Sequence, residues 1–268
     1  MGRPLNIAHR GGAGLMPENT LAAFADAITR ADGAELDVQL SADGVAVVHH
    51  DFRLMADVAR EGGRWLDTPG PRIKDLTVAE LARFDVGAPR PGSDYARRHP
   101  DLRAQDGQHV PTLEAVVKLA AAAPRPFLLM VELKCDTGED SADPAALADA
   151  AYRVVRGAGF LDRAIFVGFD WRALLAVKAL DAGAVCWFTT GKLQGDARAA
   201  IDIITAAGAG GWFPCYRDAT PANIAYGRDK GLKVGAWTVN DTSEMALLSG
   251  LDAICTDRPD ILADLQPS

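Results

Sequence analysis

Cysteine is scarce in this 268-residue chain. Its four copies, Cys135, Cys186, Cys215 and Cys255, lie far apart and form no CxxC or zinc-like spacing. Burial in the core is the ordinary fate of such thiols. Long apolar runs are also missing, since none approaches the ~20 residues that span a bilayer. Met1-Gly2-Arg3-Pro4 leads straight into a strand-like run with no secretory apolar stretch, so a reduced, cytoplasmic setting is expected. Positive charge is short as well. A formal net charge of -8 argues against a nucleic-acid binder, which usually carries a basic patch. An anionic substrate would therefore need a local positive centre, such as a metal ion. Finally, no strand-like run is followed by GxGxxG or GxxxxGK[ST], which removes support for an open doubly wound nucleotide-binding sheet.

The remaining composition, 49% hydrophobic and 24% charged, is that of an ordinary soluble globular protein with room for a well-buried core. A strand is expected at 5–9 and another at 34–40. Asp43-Gly44 then reads as a two-residue hairpin turn into a return strand at 45–49. Asn19-Thr20 is placed to cap a helix carrying Leu21, Phe24 and Ile28 on one face. Residues 51–111 break the rhythm, being rich in Pro, Gly and Arg. They read as an insertion with a short helix at 78–83 and a mobile portion over 88–109, where large apolar residues are few.

From Pro111-Thr112 onward the pattern becomes regular. Strands are expected at 127–132, 164–168, 185–188, 211–214, 234–237 and 253–255. Helices are expected near 112–122, 144–157, 171–180, 196–206, 220–229, 241–249 and 259–265. With the strands at 5–9 and 34–40 this makes eight β/α units. The expectation is an α/β fold, a (β/α)8 TIM barrel forming one domain over residues 1–268, with an extra hairpin strand and the insertion after the second barrel strand.

Barrel chemistry sits at the C-terminal ends of the strands, where His9, Glu35, Asp37, Glu132 and Trp237 all fall. Side chains alternate along a strand, so Glu35 and Asp37 share one face, as do Glu132 and Lys134. If Asp43-Gly44 is a two-residue turn, Asp37 pairs with His50, which brings His50 to the carboxylate face while His49 points away. Three carboxylates on one rim repel one another unless a cation lies between them. Oxygen donors without thiolates suggest Mg²⁺ or Ca²⁺ rather than Zn²⁺. Two histidines at the same rim suit an acid–base pair, and together these groups suit phosphodiester cleavage.

The ordered set His9-Arg10-Gly11, Pro17-Glu18-Asn19-Thr20, Glu35-Leu36-Asp37-Val38, Asp43-Gly44, His50-Asp51, Glu132-Leu133-Lys134, Trp237-Thr238-Val239-Asn240 and Thr256-Asp257-Arg258-Pro259 resembles the glycerophosphodiester phosphodiesterases nearly end to end. The resemblance implies a metal-dependent barrel that hydrolyses glycerophosphodiesters to sn-glycerol 3-phosphate and an alcohol such as choline or ethanolamine. It implies one divalent cation on Glu35, Asp37 and Glu132, and an acid–base pair of His9 and His50. It also implies phosphate contacts from Arg10 and Lys134, with Trp237 on the glycerol side. The attacking hydroxyl would be water or the substrate's own glycerol 2-hydroxyl. Residues 51–111 match a recognised insertion of that family. Two places depart from its pattern and bear on the alcohol side of the pocket: Phe52-Arg53-Leu54-Met55-Ala56-Asp57, where an Arg-Thr-rich stretch is usual, and Gly168-Phe169, where Ser-Phe is usual.

Other readings use the same residues. A hydrolase of lysophospholipids would draw Trp65, Leu66 and Phe84 of the insertion into a lip. A barrel that only binds phosphorylated ligands would have no use for two histidines. A small phosphodiester is the expected partner, without nucleic acid or a transmembrane segment, and the sequence leaves the oligomeric state open.

Overall fold

The computed structural model describes residues 2–266. Its strands are β1 (Leu5–Ala8), β2 (Gly33–Leu40), β3 (Ala46–Val48), β4 (Arg60–Glu61), β5 (Arg64–Trp65), β6 (Phe84–Asp85), β7 (Leu128–Leu133), β8 (Ala164–Gly168), β9 (Cys186–Thr190), β10 (Gly211–Pro214), β11 (Lys233–Ala236) and β12 (Ala253–Thr256). The helices are α1 (Leu21–Arg30), α2 (Val78–Leu81), α3 (Asp94–Arg98), α4 (Leu113–Ala121), α5 (Pro144–Gly157), α6 (Trp171–Leu180), α7 (Arg198–Ala206), α8 (Pro221–Asp229), α9 (Thr242–Leu247) and α10 (Pro259–Leu265). Eight parallel strands run in the order β1-β12-β11-β10-β9-β8-β7-β2, and β1 pairs with β2 to close the ring. This is the expected (β/α)8 barrel, with β3 added antiparallel to β2. Among the described residues, no helix is long and apolar enough to cross a membrane.

Alternation along the strands divides the core in two. On β7, Leu129, Val131 and Leu133 face the outer helices and join their apolar faces, while Met130 points into the barrel with Ile7, Ile165, Val167, Trp187 and Phe213. The large Trp187 ring fills this interior only because β10 yields space. A Cβ on Gly211 would lie 2.6 Å from the indole. On the outer side, α1 buries Phe24, Ala27 and Ile28, and Thr20 caps it by accepting the Ala23 N–H at 3.2 Å. Loss of that cap costs about 1 kcal/mol. The four cysteines are buried and unpaired, as expected.

The hairpin differs from the sequence expectation by one residue. Pairing runs Val38 to Val48 and Leu40 to Ala46, and the His49 N–H donates to the Asp37 carbonyl at 2.9 Å. The turn is a three-residue loop closed by Ser41 and Val45. Ser41 Oγ accepts the Val45 N–H at 3.0 Å and donates to Asp43 Oδ1 at 2.6 Å, with Gly44 at φ +74° supplying the left-handed residue that such a loop needs. Asp37 therefore stands opposite His49, not His50.

The insertion packs on the barrel through its own small core. Strands β5, β4 and β6 form an antiparallel sheet, and Leu54, Ala59, Ile73, Leu81 and Phe84 gather around Val47 of β3. Helix α2 falls within the expected 78–83 stretch. The later portion holds α3, capped by Ser93 and anchored by Tyr95, which is only 5% exposed. Trp65, Leu66 and Phe84 make no lip. Phe84 and Leu66 belong to the insertion core, and Trp65 lies beneath the Arg60 guanidinium.

Candidate active site

The inward positions of β2 and β7 carry the carboxylates. Register sets Asp37 beside Glu132 and leaves Glu35 two residues deeper, beside Met130. All three are buried, and one oxygen from each lies within 4.8 Å of the other two. Burial pushes the Glu35 carboxyl well above the usual carboxylate range, and the negative charges of Asp37 and Glu132 push it further. Burial also acts on Asp37, but the nearby charges of Arg10, His50 and Lys134 outweigh it and hold that carboxyl well below its ordinary value. One side-chain oxygen of the cluster is left over. Glu35 Oε2 accepts the Arg10 backbone N–H at 3.0 Å, whereas the buried Oε1 has no hydrogen-bond partner. A buried acceptor without a donor is costly, so three crowded oxygen donors with one orphaned lone-pair site fit a hard divalent cation.

Cationic groups surround the cluster. Lys134 Nζ lies 2.9 Å from Glu132 and 3.6 Å from Asp37. Arg10 is placed by a left-handed backbone (φ +52°) in the turn after β1, and its Nε lies 3.4 Å from Asp37. Its Nη1 donates to Glu18 at 3.0 Å, and Glu18 also accepts the Tyr95 hydroxyl of the insertion at 2.7 Å. Asn19, itself at φ +56°, donates to Asp37 at 2.8 Å. The Pro17-Glu18-Asn19-Thr20 motif thus orients Arg10, holds Asp37 and caps α1 in three consecutive residues.

Each site histidine is held by an aspartate at Nδ1. His9 Nδ1 lies 2.6 Å from Asp257, whose other oxygen accepts from Asn240 at 2.6 Å. Burial raises the Asp257 carboxyl, yet His9 and Asn240 outweigh it and bring it down to about 2. His50 Nδ1 lies 2.6 Å from Asp51. A carboxylate can only accept, so each Nδ1 carries the hydrogen and each Nε2 is left to exchange a proton. His50 reaches the site because the chain leaves the strand after Val48. The Gln39 amide draws the carbonyls of His49 and Asp51 together at 2.7 and 2.8 Å.

One cleft of about 270 Å³ is lined by all eight sequence-selected residues, His9, Arg10, Glu35, Asp37, His50, Glu132, Lys134 and Trp237. Phe169 and Phe213 add apolar wall, with Phe169 edge-on to Trp237 at 5.1 Å between ring centres. His49 is absent from this cleft. It is buried on the insertion side near Glu18, Met55 and Tyr95, with Nε2 unpartnered.

The sequence model of the glycerophosphoryl diester phosphodiesterase family matches residues 9–261. The chain belongs to that family. A glycerophosphodiester phosphodiesterase of Caldanaerobacter subterraneus is 29% identical over 98% of both chains. A solved Silicibacter pomeroyi structure assigned to the same family superposes with a TM-score of 0.88 at 32% identity, covering 98% of this chain and 94% of that one. An Oleispira antarctica phosphodiesterase, solved with the product sn-glycerol-3-phosphate, shares the fold at 24% identity and a TM-score of 0.77, with 98% and 96% coverage.

Within this family member, sequence reasoning missed the groups that hold the named residues. Asp257, Asn240 and Asp51 orient the histidines, and Tyr95 braces Glu18. Asp257 and Asn240 lie in motifs already singled out at strand ends, which was the available signal. Tyr95 lies in a stretch with no pattern to mark it.

Proposed function

We propose that the protein hydrolyses glycerophosphodiesters to sn-glycerol 3-phosphate and an alcohol, with a divalent cation, Mg²⁺ or Ca²⁺, at Glu35, Asp37 and Glu132. The observation that carries this reading is the pair of aspartate-held histidines facing one cleft around a buried carboxylate triad. A purely binding barrel needs no such pair. The cation would add positive charge at the phosphodiester and favour ionisation of the attacking hydroxyl. Arg10 and Lys134 complement the non-bridging oxygens by charge-assisted hydrogen bonds. As the new P–O bond forms, one imidazole Nε2 takes the proton of the attacking hydroxyl. As the old P–O bond breaks, the other imidazole, protonated, gives its proton to the departing alkoxide. Asp257 and Asp51 hold the rings in the tautomer these transfers need and stabilise the imidazolium form. Trp237 and Phe169 offer an apolar surface to the glycerol carbons. The product held by the Oleispira antarctica phosphodiesterase, which shares this fold, is consistent with a glycerol phosphate half-site.

The test is turnover of glycerophosphocholine with and without chelator, alongside His9→Ala and Glu35→Ala. Loss of turnover is expected in all three arms, and full activity in any of them overturns the mechanism.

A further inference from the structure

His50 reaches the cleft on a segment with few supports. The His49 N–H donates to the Asp37 carbonyl at 2.9 Å, and the Phe52 carbonyl accepts the Ile73 N–H at 2.9 Å. Between these two anchors the His50 turn stands on a wall shared by the cleft and a second cavity of about 550 Å³, which Phe52, Met55 and Asp57 help to line. Space on both sides leaves the ring little packing to locate it. Asp51 does not locate it either. Its carboxylate fixes the His50 tautomer, but as the next residue in the chain it moves with the turn.

One side chain closes the gap. The Gln39 carboxamide donates to the His49 carbonyl at 2.7 Å and to the Asp51 carbonyl at 2.8 Å, with the His50 carbonyl at 3.3 Å. No other donor among the described residues reaches these three carbonyls. Their convergence requires the amide nitrogen at this place, because the amide oxygen would be repelled by all three. Gln39 is only 4% exposed, a depth at which a polar side chain is kept by the hydrogen bonds it makes. It also follows Glu35 and Asp37 at the next alternate position of β2. One strand face therefore carries two of the three carboxylates and the tether of the His50 turn.

We propose that Gln39 is a positioning residue, whose amide sets where the His50 imidazole stands relative to the carboxylate cluster. The proposal rests on the hydrolase reading above. It makes β2 the common frame of the cation seat and of one proton-transfer group.

The test replaces Gln39 with Met, which keeps length and bulk but has no donor, and with Asn, which keeps the amide one methylene short. Turnover of glycerophosphocholine is measured together with the ring-proton NMR signals of His50 and His9, assigned by their loss in His50→Ala and His9→Ala. For Gln39→Met, kcat is expected to fall about 10²-fold with KM within about threefold, the scale of a misplaced general acid or base. Gln39→Asn should lose about tenfold, the scale of one weakened hydrogen bond. In both variants the His50 signal should shift while that of His9 stays. The milder Asn variant decides the matter if the Met variant does not fold. A merely structural role would lower the melting temperature but leave the His50 signal and the kcat of the folded protein in place, and that result overturns the proposal. An equal shift of both rings overturns it too, since the amide would then act on the whole site. Normal turnover with an unmoved His50 signal overturns the tether alone, while the hydrolase reading stands. No turnover by the unsubstituted protein overturns both.

Discussion

The two walls of the substrate space are built by different means. On the barrel side, Glu35, Asp37 and Glu132 project from strands that are paired on both edges, with oxygens inside 4.8 Å of one another. Cations and donors from the turn after β1, the turn before α1 and the residue after β7 hold them there. On the insertion side, Phe52, Met55 and Asp57 come from a largely irregular segment, where Asp57 is held through its backbone carbonyl by the Arg90 N–H. The barrel wall keeps like charges crowded in a dry site, an arrangement that costs stability and suits chemistry. The insertion wall carries no such crowding and is cheap to alter.

Substitutions sharpen this contrast. The largest effect is expected from Glu35→Gln. Hydrolysis of every glycerophosphodiester should fall by about 10³-fold or more, as when a group that stabilises transition-state charge is lost. In chelator, the same variant should melt at a higher temperature than the unsubstituted protein, because burial beside Asp37 and Glu132 already disfavours the Glu35 charge. A melting temperature that falls in chelator would show that the barrel wall carries no electrostatic cost. Next comes Asp257→Asn, which replaces an acceptor-only carboxylate with a neutral amide that can also donate, so the His9 tautomer is no longer fixed and its imidazolium loses a counter-charge. Turnover should fall about 10²-fold for all head groups alike. A head-group-dependent loss would erase the division between the walls.

Tyr95→Phe tests a link between them. Without the hydroxyl, Glu18 loses a donor at 2.7 Å and Arg10 loses part of its brace. A drop in kcat/KM of about fivefold to tenfold is expected, part of the ~1.5–3 kcal/mol of a hydrogen bond to a charged group, since Arg10 keeps its own bond to Glu18. A thermal melt run alongside distinguishes this from unfolding of α3, and unchanged kcat/KM would show that Arg10 needs no support from the insertion.

The barrel and its charged rim were legible because they obey short-range rules. Period-2 alternation puts Glu35 and Asp37 on one face. The β/α rhythm locates Ala164–Gly168, Pro144–Gly157 and Trp171–Leu180 at their observed bounds. Partners distant in the chain were not legible. Asp257 meets His9 across 248 positions and Tyr95 meets Glu18 across 77, and no local pattern marks either pair. The hairpin failed for a subtler reason. A side-chain hydroxyl, Ser41 Oγ, takes the place of a backbone partner and lengthens the turn by one residue. His50 lines the cleft and His49 does not, although the register that pointed to His50 does not occur. The break after Val48, not strand pairing, separates the two histidines.

That separation gives the smallest effect. His49 faces the insertion interior, and its Nε2 is already without a partner, so His49→Leu removes a desolvated polar atom while keeping similar bulk. Turnover should stay within about twofold, since the substitution leaves the cleft untouched. The readable change lies in stability against pH. Burial holds the His49 imidazole below its ordinary value of 6.5, so the unfolded chain binds this proton more readily than the folded one. The stability tied to a neutral His49 is therefore complete above pH 6.5 and is lost as pH falls toward the folded value, with a slope of at most about 1.4 kcal/mol per pH unit. His49→Leu should remove that part of the slope. Denaturant melts at pH 7.5 and pH 5 should show the variant gaining on the unsubstituted protein at the lower pH. Parallel pH profiles would mean that His49 is not held neutral, and a large loss of turnover would move it from the insertion wall into the site.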